Sequence, residues 1–217
     1  SARNLQQVQA AVVQLSAQFD ASKIYGLSCD VTQQGDLQQL WDAAIARFKH
    51  VDVWINNAGS CHPAIEFKDI AAAELSSLIQ TNILGSMLGS QVALQGMLQQ
   101  GDGQIFNMEG WGSRGEWSAG MTAYSTTKRA VAYFSKALYK ETKLKGTENI
   151  ATKPHQIRVG TLSPGMVATD LLISSWVNGN AKNWHKMKRL FFFVIDPPEI
   201  VCAYLAKRIV DNRKSNV

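Results

Sequence analysis

Val51-Asp52-Val53-Trp54-Ile55-Asn56-Asn57-Ala58-Gly59 decides the fold of this chain. An apolar run ends abruptly in a polar, glycine-closed turn. That is how a short buried strand delivers its carboxyl end to a loop. Working forward, Ala71 to Gln99 reads as one long helix, and Gly103 to Met108 as a second strand. Glu109 to Gly120 is rich in Gly and Ser and reads as a loop. Helix returns from Met121 to Lys145. After the polar stretch Lys145 to Pro154 comes a strand, Gln156 to Leu162, closed by Ser163-Pro164-Gly165. An irregular stretch then runs to Phe193, and a last helix follows Pro197-Pro198. Working backward, Leu37, Leu40, Trp41, Ile45 and Phe48 mark a helix that Asp30 and Thr32 precede. Lys23 to Cys29 reads as a buried strand, and Leu5, Val8, Val12 and Leu15 as an opening helix.

Strand and helix alternate throughout, which predicts an α/β fold with a parallel sheet covered by helices on both faces. Ligands of such sheets bind beyond the carboxyl ends of the strands. With 217 residues, 46% of them hydrophobic, residues 1–217 read as a single domain with a full core, which excludes a disordered chain. The formal charge of +5 owes much to Lys182, Lys186, Lys188 and Arg189. This cluster reads as a solvated face, with a membrane surface or an acidic substrate as the other readings and no nucleic acid expected. Cys29, Cys61 and Cys202 are scattered, as in a reduced intracellular protein. His50, His62, His155 and His185 lie at no ligand spacing, so no metal site is expected. No apolar run approaches the ~18 residues of a spanning helix, and no signal peptide is visible. The expected location is intracellular and soluble: chloroplast if the source is a plant or alga, otherwise cytoplasm.

Tyr124 and Lys128 lie one helical turn apart, so both project from one face. A free phenol, at about 10, exchanges protons poorly at neutral pH. A neighbouring ammonium is expected to lower that value, so the phenol can act as general acid or base. Asn82, inside the long helix, reads either as a helix-bending polar residue or as a functional one. Asp30 reads as an N-cap of the following helix, a place Thr32 fills equally well.

Asn56-Asn57-Ala58-Gly59, Asn82, Tyr124-x-x-x-Lys128 and Pro164-Gly165 followed by Thr169-Asp170 occur here in one order. This set resembles the short-chain dehydrogenase/reductase family over nearly the whole chain. The resemblance implies a Rossmann-like doubly wound sheet and hydride transfer between a nicotinamide cofactor, NADPH with NADH as the alternative, and a carbonyl or alcohol. It implies that Tyr124 exchanges the proton, that Lys128 also holds the cofactor ribose, and that Asn82 anchors a water relay to that lysine. Asp30, Val31, Asn56, Asn57, Ala58 and Gly59 would line the adenine and ribose side. Pro164, Gly165, Val167 and Thr169 would lie over the nicotinamide amide and pyrophosphate. The segment Val167 to Arg189, with Trp176, Trp184 and Phe191 to Phe193, corresponds to the variable substrate lid. It would take a large flat ligand, touch a membrane peripherally, or simply pack. Family members commonly pair through their long helices, and Leu78 to Met97 with Val131 to Leu138 permit a homo-oligomer.

Three departures stand out. The family's substrate-binding serine falls on Trp111 or, with a gap, on Gly110. Ser113 is the candidate for its oxyanion-binding role and Ser118 the second choice. The phosphate-cradling Gly-rich turn of the family is absent, as though an N-terminal βαβ unit were missing. The family's final strand is absent too. Both suggest a piece of a longer protein, with a genuine truncation as the alternative. The stretch Gln104-Ile105-Phe106-Asn107-Met108-Glu109-Gly110-Trp111-Gly112-Ser113 resembles that of the chlorophyll(ide) b reductases, in which a similar Phe-Asn-Met-acidic-Gly-x-Gly-Ser run replaces the serine pair. That likeness implies reduction of a tetrapyrrole 7-formyl group to hydroxymethyl with NADPH. A generic ketone or 3-oxoacyl reductase and a non-catalytic binding protein are the alternatives.

Overall fold

A computed structural model describes residues 1–144, 156–179 and 195–212. The elements run α1 (Leu5–Ser16), α2 (Gln34–Phe48), β1 (Val53–Asn56), α3 (Ala72–Ile79), a π-helical turn (Gln80–Leu84), α4 (Gly85–Gln100), β2 (Asp102–Met108), α5 (Thr122–Leu144), β3 (Gln156–Leu162), α6 (Asp170–Gly179) and α7 (Pro198–Asp211). Among the described residues the sheet has three parallel strands in the order β1-β2-β3. Val53 pairs with Gln104, and Asp102 with Gln156, so the three carboxyl ends rise together.

Side chains alternate across a strand, and β2 shows both faces of the sheet at work. Ile105 joins Val159 and Ile157 beneath Leu37 and Trp41 of α2, Val92 and Met97 of α4, and Leu138 of α5. Phe106 points the other way and packs with Leu162 against Leu205 and Ile209 of α7. Helices therefore cover both faces, as the alternating sequence predicts. The apolar run from α3 through α4 is largely consumed inside the chain: Leu78, Val92, Ala93 and Met97 are buried, while Ile79, Leu84 and Met87 remain exposed.

Two expectations need correction. Lys23 to Cys29 does not form a strand. A strand exists only as a ladder, and this segment finds one partner, a single parallel bridge from Ser28 to Ala2. Cys29 N donates to Ala2 O at 3.0 Å, and Cys29 still fills the core. The long helix expected over residues 71–99 is interrupted by the turn Gln80–Leu84. A single π-turn inside an α-helix inserts one residue and redirects the side chains on it, and such turns gather at functional sites. The polar cluster Lys182, Lys186, Lys188 and Arg189, the aromatics Trp184 and Phe191 to Phe193, and the stretch 145–154 lie outside the described residues, as does the side chain of Trp176.

Candidate active site

The carboxyl ends of β1 and β2 and the first turns of α5 enclose the residues that carry chemistry. Tyr124 and Lys128 are both buried on α5. The Lys128 ammonium lies 5.9 Å from the centroid of the Tyr124 ring and donates to the Met108 carbonyl, at the end of β2, at 3.1 Å. An ammonium has three N–H donors. Among the described residues the other two meet no protein acceptor.

Burial sets the proton affinities. It pushes the Tyr124 phenol up, with the nearby Cys61 adding to the effect, and pushes Lys128 down to about 8 against the opposing pull of Cys61 and Glu109. The sequence reading expects the ammonium to lower the phenol. The structure shows the opposite direction: loss of water around the phenolate dominates, Cys61 adds to it, and no lowering by Lys128 offsets them. The phenol is thus protonated at neutral pH, the form that gives a proton away.

Asn82 sits on the π-turn with its amide fully engaged. Its Oδ1 accepts from Ser60 N at 2.8 Å, and its Nδ2 donates to Ser60 O at 2.9 Å and to Thr127 Oγ1 at 3.0 Å. Ser86 Oγ donates to the Asn82 carbonyl at 2.8 Å. The loop after β1 and the helix of Tyr124 are therefore joined through one side chain. Asn57, Ala58 and Gly59 stay exposed at the end of β1. A Cβ at Gly59 would stand 3.6 Å from both Asn82 Oδ1 and Lys128 Nζ, so this backbone passes close to the ammonium.

Asn56, by contrast, faces the interior. Its Nδ2 donates to Asn107 Oδ1 at 2.8 Å and to Ser90 Oγ at 2.9 Å, and its Oδ1 accepts from Trp54 Nε1 at 2.8 Å. Asn107 Nδ2 continues the chain to Ser135 Oγ at 2.9 Å. This buried ladder satisfies polar groups that would otherwise be costly, and it fixes the register of β1 on β2. The Asn56 side chain thus serves the sheet. No periodicity in the sequence reveals the ladder.

Gly110 occupies the place opposite the phenol. A Cβ there would stand 2.5 Å from the Tyr124 hydroxyl oxygen. Ser113 is buried, but its hydroxyl accepts from Gly110 N at 3.1 Å and donates to Lys128 O at 3.3 Å. It ties the loop to α5 with both of its polar functions. Ser118, the second choice, has its carbonyl in the turn that accepts Met121 N at 3.2 Å.

The outer positions take simpler places. The Asp30 carboxylate accepts from Thr32 N and Thr32 Oγ1, each at 2.9 Å, and the Thr32 N–H holds it below the usual carboxylate range. Neither residue caps α2: the N-cap is Gln33, with no side-chain capping bond. Val31 packs against Gly85 of α4. Pro164 and Gly165 follow β3 after Ser163, with Gly165 in the left-handed region at φ 71°. Val167 accepts the Thr169 N–H at 2.8 Å, leaving Thr169 exposed at the start of α6.

Residues 1–178 match the family model for short chain dehydrogenases. The chain belongs to the short-chain dehydrogenase family. Among curated relatives, chlorophyll(ide) b reductase NOL of Arabidopsis thaliana is 37% identical over 95% of this chain, and that of Oryza sativa 36% identical over 95%. This chain spans 56% and 57% of those two proteins, a little over half their length. Among solved structures, an actinorhodin polyketide ketoreductase with NADPH shares the fold at TM-score 0.79 and 24% identity, covering 96% of this chain and 78% of that one.

As a member of the short-chain dehydrogenase family, the chain is expected to hold a nicotinamide dinucleotide, and the residues present fit its ribose. A buried ammonium with free donors suits a pair of ribose hydroxyls, and the exposed, small-residue run Asn57 to Gly59 lets a ligand approach the backbone. Among the described residues no cluster of three metal-ligating side chains occurs, and no helix is long and apolar enough to cross a membrane.

Proposed function

We propose that this protein reduces a carbonyl to an alcohol with NADPH, and that its substrate is the 7-formyl group of chlorophyll b or chlorophyllide b. The observation that carries the reading is the buried pair Tyr124 and Lys128, faced by the Gly110 backbone where a side chain would touch the phenol. The two relatives named above are chlorophyll(ide) b reductases, and the run Phe106 to Ser113 is one of the stretches that resemble that family. When bound, the dinucleotide supplies the hydride.

The chain's own groups do the rest. Tyr124 donates its proton to the carbonyl oxygen as that oxygen gains charge, which the high proton affinity of the buried phenol favours only when the substrate oxygen becomes the stronger base. Lys128 would hold the ribose hydroxyls with the donors that the Met108 carbonyl leaves free. Asn82 keeps Ser60 and Thr127 in place on either side. Asn57, Ala58 and Gly59 would follow the ribose, Asp30 and Val31 the adenine, and Pro164, Gly165, Val167 and Thr169 the nicotinamide and pyrophosphate.

The experiment is direct. Full-length protein is incubated with NADPH and chlorophyll b, and the pigments are separated by chromatography. A 7-hydroxymethyl product supports the reading. Turnover of simple ketones or 3-oxoacyl thioesters with no such product would defeat the pigment assignment and leave the reductase chemistry standing.

A further inference from the structure

Helix α5 begins with Thr122, so the Tyr124 N–H belongs to its first turn and finds no acceptor inside the helix. A polar residue before the helix would ordinarily accept such a donor. Met121 stands there, and its thioether is a poor acceptor. The acceptor comes instead from far away in sequence: Tyr124 N donates to His62 Nε2 at 3.3 Å.

That contact fixes the state of the ring. An Nε2 that accepts carries no proton, so the proton of the neutral imidazole is on Nδ1. Nδ1 lies 2.6 Å from the Pro63 carbonyl, to which it donates. Both ring nitrogens are thereby used, and the ring is 1% exposed.

The loop carrying His62 is itself held at several points. Asn82 clamps Ser60 through both backbone groups. Ala64 N donates to Ser175 O of α6 at 2.9 Å. The Cys61 thiol donates to His62 O at 3.3 Å. Gly120, just before α5, lies against the Ala64 carbonyl so closely that a Cβ there would stand 2.8 Å from the Ala64 carbonyl carbon. A ring this constrained can hold a backbone amide to a fraction of an ångström, the precision catalytic groups need from their supports.

We propose that His62 is a positioning residue for Tyr124: through the Tyr124 amide it sets where α5 starts and so where the phenol lies against Gly110 and the substrate. The inference rests on the reading of Tyr124 as the proton donor. A histidine that merely fills the core would give the same burial but no dependence of turnover on an acceptor at Nε2.

Full-length wild type, His62→Leu and His62→Gln separate the two. Leu keeps bulk without an acceptor, whereas the Gln amide oxygen reaches the place of Nε2. In His62→Leu, kcat for carbonyl reduction should fall at least ~10-fold with KM within about 2-fold, and His62→Gln should keep kcat within about 3-fold of wild type. Two readouts need no turnover. Nitrogen NMR of the wild type should show His62 protonated at Nδ1 only. Hydrogen exchange of the Tyr124 amide should quicken at least ~10-fold in His62→Leu and stay near wild type in His62→Gln. A wild-type ring protonated at Nε2, or a His62→Leu protein with wild-type kcat and wild-type exchange at Tyr124, overturns the proposal. If His62→Leu does not fold, the wild-type tautomer and the His62→Gln exchange rate still decide it. If the wild type reduces no carbonyl, the proposed function falls, while the exchange and tautomer results judge His62 separately.

Discussion

Asn82 Nδ2 donates to Thr127 Oγ1 at 3.0 Å, and this bond joins the π-helical turn to the residue that precedes Lys128. Thr127 Oγ1 in turn donates to the Tyr124 carbonyl at 2.7 Å. The loop after β1, the π-turn and the Tyr124 face of α5 are thus linked through the side chains of Asn82 and Thr127. The turn is what aims Asn82 at both: a residue inserted into the helix rotates the amide inward, where an unbroken helix would not hold it against Ser60.

Removing that amide should be felt mainly as lost stability. Asn82→Ala strands Ser60 N and Ser60 O, both bonded to it in the native protein. Leaving buried backbone groups unpaired costs about 1–3 kcal/mol each, so a loss of roughly 3 kcal/mol is expected. Urea denaturation of both proteins measures it, and a midpoint equal to wild type would refute the clamp.

Tyr124→Phe should abolish reduction while NADPH binds nearly as before. In the proposed mechanism the hydroxyl is the proton donor, and general acid catalysis contributes about 10²–10⁴-fold. Steady-state turnover beside a fluorescence titration of NADPH separates chemistry from binding. Retained turnover removes Tyr124 from its assigned role.

Gly110 and Ser113 predict opposite patterns. Gly110→Ser does not restore the usual serine of the family, because its Cβ would stand 2.5 Å from the phenol oxygen. The phenol or the loop must shift, so kcat should drop at least ~10-fold with only a modest change in melting temperature. Ser113→Ala instead removes a hydroxyl that bridges Gly110 N and Lys128 O. It should cost roughly 1–2 kcal/mol of stability and reduce kcat far less than Tyr124→Phe. A Ser113→Ala enzyme as inactive as Tyr124→Phe would instead support a catalytic role for that serine.

Lys128 makes stability depend on pH. Burial lowers it from 10.5 to about 8 in the folded protein. Below about 8 the folded state carries a buried charge and the full penalty applies, roughly 3 kcal/mol by linkage. Between about 8 and 10.5 the folded protein sheds this proton before the unfolded chain does, so stability climbs with pH. Lys128→Met should melt higher at pH 7 and lose the climb between pH 8 and 10. Thermal melts of the two proteins across that range check it; parallel profiles would show that Lys128 is not the source.

Much of the site could be read before any coordinates. Tyr124 and Lys128 share a face because helix geometry makes residues four apart neighbours. Asn57 to Gly59 end up exposed because a strand that is apolar up to Ile55 must release its polar tail to a loop. His62 was legible only as a lone histidine without ligand spacing, and Ser60, Thr127 and Asn107 carried no pattern at all. Their roles depend on partners 22, 45 and 51 residues away in the chain.

The sequence by itself determined the alternation of strands and helices, the parallel sheet and the Tyr124–Lys128 face, since each follows from periodicity and local sterics. The tertiary structure decided what no local rule reaches. It denied Lys23 to Cys29 a ladder, broke the long helix at Asn82, turned Asn56 into the sheet and Ser113 into a tie, and raised the phenol where spacing alone pointed downward. Strand pairing, hydrogen-bond partners and desolvation all depend on which distant groups arrive at a place, and that is settled only when the chain has closed on itself.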